Sequence, residues 1–259
     1  MESRTPFIVA NWKMNFTVPD ALKFETGFTH ELKAMGDVEV AIAPPFTSLY
    51  SLGVALSETP FKLASQNVFW EDSGAFTGEI SPAFLKDVGC DYVIIGHSER
   101  RQHFGETNET VSKRIRAALR YEIIPIMCIG ETLAQREANK TWSVCEDQLK
   151  HGLASVFLKD IENFVIAYEP VWAIGTGKNA TPAEAEEVHS MIREWLSKNC
   201  DGATASRVRI LYGGSVKSKT SREILAQPNI DGALVGGASL DPLEFANIVR
   251  SAPQRSSSN

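Results

Sequence analysis

The sequence predicts an α/β fold, a single closed (β/α)8 barrel built on a parallel eight-stranded sheet. Three observations carry this expectation. Eight short apolar runs lack polar–apolar alternation, as strands do when both faces of a parallel sheet are covered. Each run leads through a loop into a helix-compatible segment. The 259 residues lie close to the ~250 typical of such a barrel, and no linker divides them. One domain over residues 1–250 is expected, with a polar tail at 251–259 expected to be disordered. A doubly wound open sheet would call for G-x-G-x-x-G after the first strand; Asn11-Trp12-Lys13-Met14-Asn15 contains no glycine.

Taken in order, Phe7-Ile8-Val9-Ala10 reads as strand one, followed by a helix from Pro19 to about Met35. Val38 to Ala43 is strand two, cut by Pro44-Pro45, with a short helix from Thr47 to Leu56. Lys62-Leu63-Ala64-Ser65 is strand three, then a long loop from Gln66 to Ile80 and a short helix from Pro82 to Val88. Tyr92-Val93-Ile94-Ile95 is strand four, with Ser98-Glu99-Arg100-Arg101 as a first helical turn and a clear helix over Thr107 to Tyr121. Ile124 to Ile129 is strand five, ending in Gly130-Glu131-Thr132, and a long helical region runs to about Lys159. Phe164-Val165-Ile166-Ala167 is strand six. Its helix opens with Thr181-Pro182-Ala183-Glu184, a capping box with Pro at the first position. Val208 to Tyr212 is strand seven, with a short helix near Thr220 to Ala226; Gly232 to Val235 is strand eight, with Asp241-Pro242-Leu243-Glu244 starting the last helix.

Composition is that of an ordinary globular chain, 43% hydrophobic and 22% charged. The net charge of −6 argues against nucleic acid or an anionic membrane as partner, while leaving room for a locally positive pocket. Cys90, Cys128, Cys145 and Cys200 form no C-x-x-C pair and no zinc spacing with histidine, so no metal is expected and reduced thiols in a cytoplasmic protein are. No secretory leader and no apolar run of membrane-spanning length is present, which predicts a soluble, unexported protein.

In a barrel of this kind the loops after the strands share one face, so residues far apart in sequence converge. Strand six ends on Glu169, then Pro170, the apolar Val171-Trp172-Ala173-Ile174, and Gly175-Thr176-Gly177-Lys178. A carboxylate at a strand end before an apolar loop with two glycines reads as a general base under a lid. Asn11 and Lys13 follow strand one, His97 and Glu99 strand four, Ser215 strand seven, and Gly236 and Gly237 strand eight. Gly213-Gly214 and Gly236-Gly237 fall where such barrels hold phosphate, since glycine lets backbone N–H groups approach the oxygens. Taken singly each pair is more simply a tight turn; both pairs together, with Gly175 on the lid, favour phosphate. Lys13 supplies a charge beside that anion site. His97 stands at the start of a helix, where a further positive charge is disfavoured and the neutral ring can donate to a carbonyl. Glu99 reads either as a surface acid or as a partner that holds Lys13. The set points to proton abstraction next to a carbonyl with electrostatic stabilisation of the enediolate, without a cofactor.

At these residues the chain resembles the triosephosphate isomerase family. The matching segments are 9–15, 96–101, 167–178, 212–216 and 235–238, which together span almost the whole chain. The resemblance implies interconversion of dihydroxyacetone phosphate and glyceraldehyde 3-phosphate, in glycolysis and gluconeogenesis. It implies Glu169 as proton acceptor and His97 as electrophile. Lys13 and Asn11 would contact substrate, and Gly175, Ser215, Gly236 and Gly237 would grip the phosphate. The segment from Gln66 to Gly78, with Phe69, Trp70 and Phe76, resembles the family's interdigitating loop and implies a homodimer. Two rivals stand beside this reading: a phosphate-binding barrel acting on a larger sugar phosphate, and a catalytically silent protein on the same fold.

Overall fold

The computed structural model describes residues 4–32, 36–154, 156, 164–174, 180–200 and 202–254. Eight strands close into a barrel in sequence order, every neighbouring pair parallel. They are β1 (Phe7–Asn11), β2 (Glu39–Ala43), β3 (Lys62–Ser65), β4 (Tyr92–Ile95), β5 (Ile124–Ile129), β6 (Val165–Tyr168), β7 (Arg209–Tyr212) and β8 (Gly232–Val235). Around them lie α1 (Val18–Glu31), α2 (Phe46–Leu56), α3 (Pro82–Asp87), α4 (Ser98–His103), α5 (Asn108–Arg120) and α6 (Leu133–Glu137). The ring continues with α7 (Thr141–Gly152), α8 (Pro182–Asn199), α9 (Gly202–Arg207), α10 (Ser218–Leu225) and α11 (Pro242–Arg250).

Side chains alternate along each strand, so one apolar run fills two spaces. In β1, Phe7 and Val9 point into the barrel with Ala41, Ile94, Cys128 and Leu211, while Ile8 and Ala10 join the larger core under the helices. This is why the strands read as continuous apolar runs: neither face meets water. Closure brings Gly232 against β1 so closely that a Cβ there would lie 1.8 Å from the Phe7 carbonyl oxygen.

The strands lie within a residue of their predicted places. β6 runs one residue later than predicted because Tyr168 pairs with Ile129 and Tyr212. The long helix predicted after strand five is two helices. Asn139 adopts a left-handed φ of 55° between α6 and α7, which an α-helix cannot carry through. The end of that prediction falls mostly on 155 and 157–159, outside the described residues. The predicted end of the first helix at 33–35 also lies outside them, and α1 ends at Glu31. Helix α9 was not foreseen: its sequence, Gly-Ala-Thr-Ala-Ser-Arg, is too short and too small-sided to show a period.

Side-chain caps explain two helix starts, only the first of them a full capping box. Thr181 Oγ1 accepts from the Glu184 N–H, and Glu184 returns the bond to the Thr181 N–H. Asp241 caps α11 alone; Glu244 instead accepts from the Ser218 N–H and Oγ at 2.8 Å each, tying α11 to α10. In the long loop after β3, Phe69 and Trp70 are half-buried and stack at 4.1 Å, with the Arg114 guanidinium over Trp70. Phe76 remains 43% exposed, between Gly74 and Gly78 in positive-φ conformations.

One buried group makes stability depend on pH. His189 on α8 lies wholly inside, between Tyr168 and Tyr212, with its Nδ1 against the Asn229 carbonyl. Burial, aided by Arg193, pushes it down from 6.5 to about 4, against the opposing Asn229 carbonyl and Asp231. Between those values the unfolded chain binds the proton and the folded one does not. The stability is therefore present above about 6.5 and lost as pH falls towards about 4. The full difference is on the order of 3 kcal/mol. Urea unfolding at pH 7 and pH 4.5 should show a smaller loss in His189→Asn than in the parent. An equal loss in both proteins would assign the acid sensitivity elsewhere.

Candidate active site

The C-terminal ends of the strands surround a cavity of about 440 Å³. Asn11, Lys13, His97, Glu169, Ser215, Gly236 and Gly237 all line it, together with Glu99. Gly175 and the rest of 175–179 lie outside the described residues.

The loop after β1 is held from three sides. Lys13 has a left-handed φ of 52°, costly for a lysine. Its N–H donates to Asn11 Oδ1 at 3.1 Å, and its carbonyl accepts from Gln66 Nε2 at 2.8 Å. Trp12 is fully buried and donates through Nε1 to the Ser239 carbonyl at 3.1 Å. Ser239 in turn donates from N and Oγ to the Gly236 carbonyl, so Lys13 and the glycine pair of β8 belong to one bonded unit. Lys13 Nζ meets Glu99 Oε1 at 2.5 Å, which decides between the two sequence readings of Glu99.

His97 is the N-cap of α4, and its Nδ1 accepts from the Glu99 N–H at 3.3 Å. Nδ1 therefore carries no proton, and the ring's N–H is at Nε2. That nitrogen points at Glu169 Oε1, 3.0 Å away. Glu169 is 2% exposed. Its Oε2 accepts from the Ser98 N–H at 2.9 Å and its Oε1 from Ser98 Oγ at 3.1 Å. The Cys128 thiol is pushed well up by burial and then by the Glu169 charge, so it stays protonated against the carboxylate.

The glycines owe their places to close approach as much as to any anion. A Cβ on Gly213 would stand 2.8 Å from Glu169 Cγ, and one on Gly214 would strike the Tyr212 ring. A Cβ on Gly236 would crowd Lys13 Cε at 3.3 Å. On Gly130 it would lie 1.7 Å from the Glu169 carbonyl oxygen. The glycines thus let the reactive side chains sit where they do, a role that the sequence reading did not anticipate.

Glu131, at the end of β5, was also passed over as a functional residue. It is fully buried and accepts from Tyr168 OH at 3.1 Å and from Trp172 Nε1 at 2.9 Å. Its main-chain carbonyl accepts from the Val171 N–H at 3.1 Å. Arg136 lies over the Trp172 ring at 4.4 Å and bonds Glu184 at 2.8 Å. The apolar start of the loop after Glu169 is thereby fastened to its neighbour. The signal was available: Glu131 follows strand five as Glu169 follows strand six.

A family model described as triosephosphate isomerase matches residues 6–252. A triosephosphate isomerase of Dictyoglomus turgidum is 51% identical over 248 residues, covering 96% of this chain and 100% of the relative. Those of Moorella thermoacetica and Trichlorobacter lovleyi are 51% and 49% identical, each covering 95% of this chain and 98% of the relative.

Removing the Glu131 carboxylate should release this fastening. Glu131→Ala leaves the buried Tyr168 hydroxyl without its Glu131 acceptor, at about 1–3 kcal/mol for a buried group so orphaned. Urea unfolding should show that loss, with Glu131→Gln losing less. A parent-like midpoint for Glu131→Ala would mean that the carboxylate holds nothing in place.

Proposed function

The chain belongs to the triosephosphate isomerase family, and we propose that Glu169, His97 and Lys13 carry its reaction while Asn11, Gly175, Ser215, Gly236 and Gly237 bind substrate. It is an isomerase that interconverts dihydroxyacetone phosphate and glyceraldehyde 3-phosphate in glycolysis and gluconeogenesis.

The observation that carries the assignment of roles is the 3.0 Å contact between His97 Nε2 and Glu169 Oε1, with Nδ1 held by the Glu99 N–H. A ring fixed in this way can only donate from Nε2. When substrate enters, its carbonyl oxygen takes that donor. Glu169 exchanges its bonds to Ser98 and His97 for the C–H beside the carbonyl. It takes the proton, and the electron pair of the broken C–H bond moves onto the oxygen as an enediolate. His97 Nε2–H and the Lys13 ammonium stabilise that charge. Return of the proton to the neighbouring carbon, with a matching proton shift between the oxygens through His97, gives the isomer. One proton moves from carbon to carbon and one from oxygen to oxygen, and no electrons leave the molecule, so atoms and charge balance within the substrate and these side chains.

Backbone N–H groups around Ser215 and the 236–237 pair suit a phosphate dianion. The apolar segment after Glu169 suits a cover that keeps water from the enediolate. We further assign a cytoplasmic homodimer joined through residues 66–78. In support, a cavity of about 370 Å³ lies beside Asn11 and Lys13, lined partly by Met14, Phe46 and Phe104. Met14 is 95% and Phe104 68% exposed, and Phe76 stands out on its glycine-flanked tip. Burying one such side chain is worth ~1.5–3 kcal/mol. No helix among the described residues is long and apolar enough to cross a membrane.

A coupled assay with the two triose phosphates tests the activity, and inactivity on both would favour another phosphate-binding barrel or a silent one. Glu169→Gln keeps the shape and removes the base, so kcat should fall at least ~10²–10⁴-fold with anion binding retained. Unchanged turnover would remove Glu169 from the mechanism. Replacing 69–76 by a short polar turn should give a folded monomer with activity far below that of the dimer. Sedimentation, circular dichroism and the same assay decide it; a persistent dimer moves the interface elsewhere, and a fully active monomer separates assembly from catalysis.

A further inference from the structure

We infer that Lys217 recruits the substrate's phosphate, speeding its capture without taking part in the proton transfer. This rests on the isomerase activity and adds a residue to that site. The described side chains of formal charge that line the cavity are Lys13, Glu99, Glu169 and Lys217. Lys13 is spent on Glu99 at 2.5 Å. Glu169 is a buried carboxylate whose donors in this structure, Ser98 and His97, bring no formal charge with Nδ1 unprotonated. Without Lys217, the described lining side chains would present an incoming dianion with net negative charge, in a chain of net −6. Lys217 is exposed, two residues beyond Ser215, and no carboxylate among the described residues pairs with it. Its charge is the one free to act on the solution side of the cavity among the described residues.

A second observation separates this from a structural role. Lys217 is the N-cap of α10 and makes no side-chain capping bond. An ammonium cannot accept from the helix's free N–H groups, and its charge faces the positive end of the helix dipole. Serine or aspartate would serve the helix better. The lysine works against its own helix, and the cavity is where its charge has a use.

The test is the salt dependence of kcat/KM in Lys217→Gln. One charge acting on a dianion across roughly 10 Å of water changes capture by about threefold to fourfold at low ionic strength. At 0.5 M salt the screening length falls to about 4 Å and the difference from the parent should vanish. kcat should keep the parent value, inorganic phosphate should inhibit more weakly at low salt, and Lys217→Arg should restore both. Lys198→Gln, which removes a remote exposed lysine, should keep the parent's slope. Lys217→Ser should melt no lower than the parent while losing capture. A kcat/KM loss equal at low and high salt, a fall in kcat, or a parent-like salt slope overturns the inference. An inactive parent would instead overturn the isomerase activity itself.

Discussion

Closure of the sheet is the constraint from which the rest follows. A parallel barrel has no edge, so each strand pairs on both sides and its flanking loops must leave along the barrel axis. All eight strands point the same way, and the ends that carry Asn11, His97, Glu169, Ser215 and Gly236 form one rim. Closure is tight enough to exclude a side chain at its seam, where Gly232 meets Phe7 backbone. It is equally tight where Gly130 meets the Glu169 carbonyl. The same geometry that seals the barrel therefore sets the height at which the reactive carboxylate emerges.

How much of this could be read from sequence depends on whether the information is local. The strands are local: Tyr92-Val93-Ile94-Ile95 cannot face water on either side, and its bounds follow from composition. The helix starts at Thr181 and Asp241 are local too. The break at Asn139 was not legible, because αL geometry at one asparagine is a weak preference inside a segment that otherwise favours helix. Glu131 was missed for another reason. Its place after strand five was visible, but its partners Tyr168 and Trp172 lie some forty residues away, so its burial and bonding required coordinates. The glycine pairs lie between these cases. Their places on the rim followed from topology, but their crowding against Glu169, Tyr212 and Lys13 required coordinates.

The rim also shows how a buried carboxylate, the base in the proposed mechanism, is held by neutral donors. Burying an ionised carboxylate is costly unless donors surround it. Glu169 has three: the Ser98 N–H, Ser98 Oγ and His97 Nε2. None of them carries a formal charge while Nδ1 accepts from Glu99. Lys13 is held to Glu99 rather than paired with Glu169 in this structure.

Two neighbouring strands, β5 and β6, end in carboxylates treated in opposite ways. Glu131 is bound by the Tyr168 hydroxyl, the Trp172 indole and Arg136, all set by packing of the barrel and its helices. A substrate in the cavity has no means of replacing them. Glu169 is bound at the first turn of α4, by groups that border the cavity or lie next to it. One of them, the His97 N–H, is the donor that a substrate carbonyl would claim. In the proposed mechanism the carbonyl takes a bond from Glu169, whereas the Val171 N–H is held by the Glu131 carbonyl. In the proposed mechanism, a fixed carboxylate beside a releasable one would let the base change partners without loosening the strand ends that aim it.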